Sequence, residues 1–90
     1  MSKVLKVYGW TDSARYEGEM HQCRFITAAH SVAEVLRVAG ITRSTYAFQG
    51  SQTWNDEELM VATGWIGAVF YRPLYVQKGG WAELAAVDHG

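Results

Sequence analysis

His21 and Cys23 stand two residues apart in the run MHQCRFIT, and on an extended strand that spacing puts both side chains on one face. A thiolate and an imidazole so placed can pair as nucleophile and base, or supply two ligands to a metal. A structural zinc site needs four ligands, and the chain adds only His30 and His89 to this pair. A lone cysteine on an apolar strand acts more often as a small hydrophobe, so neither a metal nor a cofactor is expected. The carboxylates considered for acid–base work are Glu17, Glu19, Glu34, Asp56, Glu57 and Glu58. Helix caps and solvated faces account for the last four, which leaves no acid–base pair. G-x-S-x-G, P-loop, H-E-x-x-H and dinucleotide signatures do not occur. The expectation is a protein without catalytic residues, and not an enzyme.

The elements that carry these residues come from a chain of 90 residues, enough for one domain with one core. Its apolar fraction of 49 %, with four Trp, five Tyr and three Phe, suffices for that core without disulfides. Eight Lys plus Arg against nine Asp plus Glu generate no long-range field toward nucleic acid or anionic lipid. Neither a basic-then-apolar leader nor an apolar run of about 18 residues is present. A cytoplasmic monomer or homodimer away from membranes is expected.

Val4 to Tyr8 alternates as a half-buried strand, and polar Thr11 to Glu19 reads as a loop leading to a second strand at MHQCRFIT. The Cys23, Phe25 and Thr27 side of that strand is expected to face the core. Ser31 and Glu34 form an S-x-x-E capping box, Val32, Val35, Leu36 and Ala39 make an apolar stripe, and Gly40 is placed to end the helix. Thr42 can cap a short second helix through Phe48. Asn55 with Glu58 opens a third that ends at Gly64, with Trp54 against Leu59 as a hydrophobic staple. IGAVFYRPLYV then has strand composition, with Pro73 confining it to an edge or a strand end.

The expected fold is therefore α+β: a two-layer domain over residues 1–76 with a three-stranded antiparallel sheet and two or three short helices on one face, in the order β-β-α-α-α-β. Residues 77–90 are expected to form a flexible C-terminal tail. A winged helix-turn-helix is the alternative assembly.

Residues 31–46 resemble a helix-turn-helix, and within them AGITRST, residues 39–45, resembles the turn and the start of the recognition helix in bacterial repressors. Leu36 and Gln49 depart from that pattern, the first where a small residue is usual and the second where an apolar one is. The resemblance implies a DNA-binding regulator. Across residues 4–74, VYGW, RFITAAHSVAEVLRVAGI, NDEELMVA and VFYRPL resemble small proteins without assigned activity from actinobacteria and their phages. That resemblance implies a phage or mobile-element accessory protein that binds a host protein, as an inhibitor or counter-defence factor.

Tyr46, Phe48, Trp54 and Trp65, with Trp10 and Tyr16 in the first loop, are interleaved with Ser, Thr, Gln and Gly and have the composition of an adaptable binding surface. Trp10, Tyr16, Arg43, Tyr46, Phe48 and Trp54 form the expected partner-binding set. A host protein is the expected partner, DNA the alternative.

Overall fold

The computed structural model describes residues 5–42 and 51–84. Two strands, β1 (Lys6–Tyr16) and β2 (Glu19–Ala29), are followed by α1 (Val32–Ala39), the short β3 (Ser51–Gln52), α2 (Asp56–Thr63), β4 (Val69–Pro73) and β5 (Ala82–Leu84). All five strands lie in one antiparallel sheet of order β3-β1-β2-β4-β5. The class is α+β, as the sequence implies, with five strands in place of three.

The segment expected as a loop, Thr11 to Glu19, is mostly strand. β1 and β2 pair without interruption from Lys6 opposite Ala29 to Tyr16 opposite Glu19. Glu17 (φ 51°) and Gly18 (φ 86°) make the turn, and positive φ at both central residues matches the right-handed twist of the flanking strands. Polar side chains on both faces of TDSARY hide this strand from periodicity.

The distal half of the hairpin bends back over the sheet. Trp10 stacks on Phe25 at 5.5 Å and Phe25 on Tyr71 at 5.4 Å, forming a row across three strands. Tyr16 lies six residues beyond Trp10, about 20 Å along a flat strand. Its ring nonetheless meets that of Tyr71 edge-on at 6.1 Å, and the Tyr71 hydroxyl donates to the Arg15 carbonyl at 3.1 Å.

The helices cover opposite faces of the sheet, not one. Val35 and Ala39 of α1 pack with Tyr8, Trp10, Cys23 and Phe25. Ala62 of α2 packs with Val7, Ile26 and Ala28, flanked by Leu59, Val61 and Phe70. Consecutive β2 residues from Phe25 to Ala29 are buried, so the expected Cys23–Phe25 core side is one of two. A strand enclosed on both faces reads as a continuous apolar run rather than an alternation.

Ser31 caps α1 by accepting from the Glu34 backbone N–H at 3.2 Å, and Gly40 ends it in the left-handed region at φ 70°. β4 ends at Pro73, where a missing N–H costs least. The sheet continues past residue 76: β5, within the span expected as a tail, pairs with β4 from Tyr71–Ala82 to Val69–Leu84. The proposed helix over 42–48 lies outside the described residues except at Thr42, which is exposed.

Candidate functional site

Arg24 of β2 and Arg72 of β4 stand directly opposite one another, an arrangement that would repel if left alone. Consecutive carboxylates from α2 resolve it. Glu58 accepts from Arg24 Nε at 3.0 Å and Nη2 at 3.1 Å, a two-pronged pair, and from the Thr53 hydroxyl at 2.6 Å. Glu57 meets Arg72 Nη1 at 2.8 Å and accepts from the Gly79 backbone N–H at 2.9 Å. Arg72 also donates to the Gly79 carbonyl at 2.9 Å, and its guanidinium lies 4.3 Å from the center of the Trp81 ring. Trp81 Nε1 is buried without a hydrogen bond of standard geometry.

Burial alone would raise the Glu58 carboxyl, but hydrogen bonds from Arg24 and Thr53, with the charges of Arg24 and Arg72, outweigh it and hold the group below its ordinary value. For Glu57, the Gly79 amide is the main influence keeping the carboxyl low; Arg72 adds to it against a smaller desolvation. Both are fixed counter-ions. Sequence reading assigned Glu58 to a capping box, yet its side chain turns inward while Asn55 alone caps the helix, accepting from Glu58 N–H at 3.0 Å.

This network fixes α2 on the sheet and determines what the helix shows outward. Thr53 is buried, bonded to Glu58, and accepts from the Asn55 N–H at 3.2 Å. Trp54, held between them, projects into solvent. Leu59, Met60 and Val61 are consecutive, and at about 100° per residue a helix cannot turn all three inward. Leu59 and Val61 flank the core and Met60 is left outside. One turn on, the Gly64 N–H bonds the Met60 carbonyl at 3.2 Å, and Trp65 and Ile66 follow on the surface. Trp54, Met60, Trp65 and Ile66 are 76, 76, 65 and 57 % exposed.

Of the residues expected to meet a partner, Trp54 is therefore available, and at that exposure its ring does not close the expected staple on Leu59. Trp10 is not available: at 1 % exposure it is a core residue stacked on Phe25. Tyr16 is half-buried, donating to the Gly80 carbonyl at 2.8 Å. Arg43, Tyr46 and Phe48 lie outside the described residues. Trp65, expected among the surface aromatics, is exposed; Met60 and Ile66 were not anticipated, and the readable signal for Met60 was the Leu-Met-Val run, which overfills the buried side of a short helix.

Cys23 is fully buried, with its Sγ 3.5 Å from the His21 carbonyl, and burial pushes its thiol up. His21 faces Tyr75 edge-on at 5.2 Å and Glu19 at 3.8 Å. Among the described residues, no three His, Cys, Asp or Glu side chains gather where a metal would be held. No helix among them is long and apolar enough to cross a membrane. No known protein family, curated protein or solved structure matches the chain.

Proposed function

We propose that this chain is a non-enzymatic binding protein that docks a protein partner on the outer side of α2. The observation that carries this reading is the set of four large apolar side chains, Trp54, Met60, Trp65 and Ile66, left in solvent on and beside one helix that is itself firmly anchored. Exposed apolar side chains scattered singly mean little, but grouped ones mark interaction surfaces, and Trp and Met are enriched at interface centers. A host-protein partner follows the resemblance to phage and mobile-element accessory proteins. The binding surface thus differs from the one the sequence suggests: Trp10 leaves it, Trp54 stays, and the far end of α2 joins.

Immobilized chain incubated with nuclease-treated host lysate tests the reading when the wild type is compared with the variant combining Trp54→Ser, Met60→Ser and Trp65→Ser. A partner retained by the wild type and lost by the folded variant supports it. A partner held equally by both rejects this surface.

A DNA-binding regulator is the second reading, favored by the Ser31-capped α1, the left-handed Gly40 turn and exposed Arg37. Steep loss of affinity with rising salt, from released counterions, distinguishes it from an apolar protein interface. Arg43→Ala weakening DNA binding, with the α2 variant binding normally, would establish it in place of the first.

A further inference from the structure

We propose that residues 77–84 form a strap along the edge of the sheet that opens as a unit while β1, β2, β4 and both helices stay folded, and that the Glu57 carboxylate is its clasp. The strap leaves a fixed turn. There the Leu74 N–H donates to the Gln22 carbonyl at 2.9 Å, the Val76 N–H donates to the Pro73 carbonyl at 3.0 Å, and the Tyr75 ring meets His21. It runs into β5, whose ladder with β4 spans only Val69 to Tyr71. None of residues 77–84 is buried, and Trp81 and Leu84 lie only partly against the two cores. Phe25 to Ala29 of β2, by contrast, are buried without a break. A segment that buries so little opens at lower cost than the core does.

Polar contacts from three elements converge on Gly79 and Gly80 and hold the strap down. Glu57 Oε2 of α2 accepts from the Gly79 N–H at 2.9 Å, Arg72 of β4 donates to the Gly79 carbonyl at 2.9 Å, and Tyr16 of β1 donates to the Gly80 carbonyl at 2.8 Å. Both glycines have positive φ, 66° and 72°. A β-carbon on Gly80 would stand 3.0 Å from Val76 Cγ1 and 3.4 Å from Tyr16 Oη, so a side chain there would crowd the closed strap. Glu57 acts twice. While Oε2 takes the Gly79 amide, Oε1 takes Arg72 Nη1 at 2.8 Å and so orients the guanidinium that reaches the Gly79 carbonyl and faces the Trp81 ring. α2 has its own attachment, through Glu58 on Arg24 and Ala62 in the core, and does not need the clasp. Opening bares the lateral edge of β4 from Val69 to Tyr71, a row of unpaired backbone groups of the kind to which extended segments add. Closed, β5 masks that edge.

Hydrogen–deuterium exchange of the full chain at neutral pH, read residue by residue by NMR and corrected for intrinsic rates, tests this. In the wild type, the Gly79 amide and the β5 amides bonded to β4 are expected to exchange about tenfold or more faster than the amides of Phe25 to Ala29. Low urea is expected to change the strap rates little and the β2 rates steeply, because a local opening exposes little surface. Glu57→Gln is expected to speed the strap amides by a further factor of about five, with the β2 and α2 amides unchanged. Tyr16→Phe, which removes one bond and no charge, is expected to act in the same direction and less. Strap and β2 amides that share one rate and one urea slope would overturn the proposal, since the strap would then open only with the whole fold. Strap rates unmoved by Glu57→Gln would remove the clasp and overturn it too. So would α2 amides that speed up with the strap, or a Glu57→Gln chain that does not fold, because the carboxylate would then be holding more than the strap.

Discussion

The guanidinium of Arg24 lies over Gly9, in the space that a β-carbon on that residue would occupy. Gly9 faces Ile26 across the β1–β2 pair, one step along the sheet face from Arg24. The bare backbone there lets the arginine lie flat and still reach Glu58 with two nitrogen atoms. Gly9→Ala is expected to cost about 1 to 3 kcal/mol, the usual range for overpacking. In an Arg24→Ala background the same change is expected to cost much less, a coupling that urea denaturation of the four proteins in the cycle would measure. Additive losses would show that the overlap is relieved without disturbing the ion pair.

The pH dependence of stability follows from the two depressed carboxyls. Because the folded-state values lie below the unfolded ones, Glu57 and Glu58 contribute stability above the unfolded carboxyl pKa of about 4.3, and it is lost as pH falls through the folded values. Denaturation midpoints are expected to hold from pH 7 to about 5 and to fall below that. Glu58→Gln is expected to lower stability at pH 7 by about 3 kcal/mol, since it leaves Arg24 without its buried counter-charge. The same variant should show a shallower acid decline. An acid limb as steep as that of the wild type would place the linked protons elsewhere.

Cys23 is enclosed by the sheet and α1, and its thiol is pushed toward the neutral form. Ellman's reagent is expected to label it at the rate of global opening: very slowly in buffer, and fast once urea unfolds the chain. Rapid labeling of the native protein would mean that this face opens locally.

Glu17 occupies the left-handed region, where a side chain other than Gly, Asn or Asp is uncommon. Glu17→Asn, giving the Asn-Gly pair favored in two-residue hairpin turns, is expected to stabilize the fold by up to about 1 kcal/mol. Thermal unfolding reads this directly. A lowered midpoint would mean that Glu17 makes a compensating contact.

Ser31, Gly40 and Asn55 were legible in the sequence because a cap acts within four residues of itself. The α+β class was legible for the same reason, as strands and helices announced themselves locally. The hairpin length was not, since Thr11 to Tyr16 offer no apolar alternation and Glu-Gly is a weak turn signal. β5 is three residues long and is defined by its pairing with β4 rather than by its own composition. The opposite placement of α1 and α2 was implicit in the unbroken run from Phe25 to Ala29, which only a strand covered on both sides can bury. The ion pairs join residues 34 and 15 positions apart, and no local pattern reports such a choice of partner. At the candidate site Trp54 was foreseen, whereas the Trp10 reading failed because an aromatic between polar neighbors can still point inward from a strand.

The strand order places the first two strands in the middle of the sheet, with later segments adding on both sides. The β1–β2 hairpin by itself thus lacks both lateral strands, and its Val7–Ile26–Ala28 side is covered by α2. Open strand edges and an uncovered apolar face are what favor pairing with other extended chains. A chain truncated after residue 42 is therefore expected to aggregate, and α2 with β4 is what closes both liabilities in the full chain.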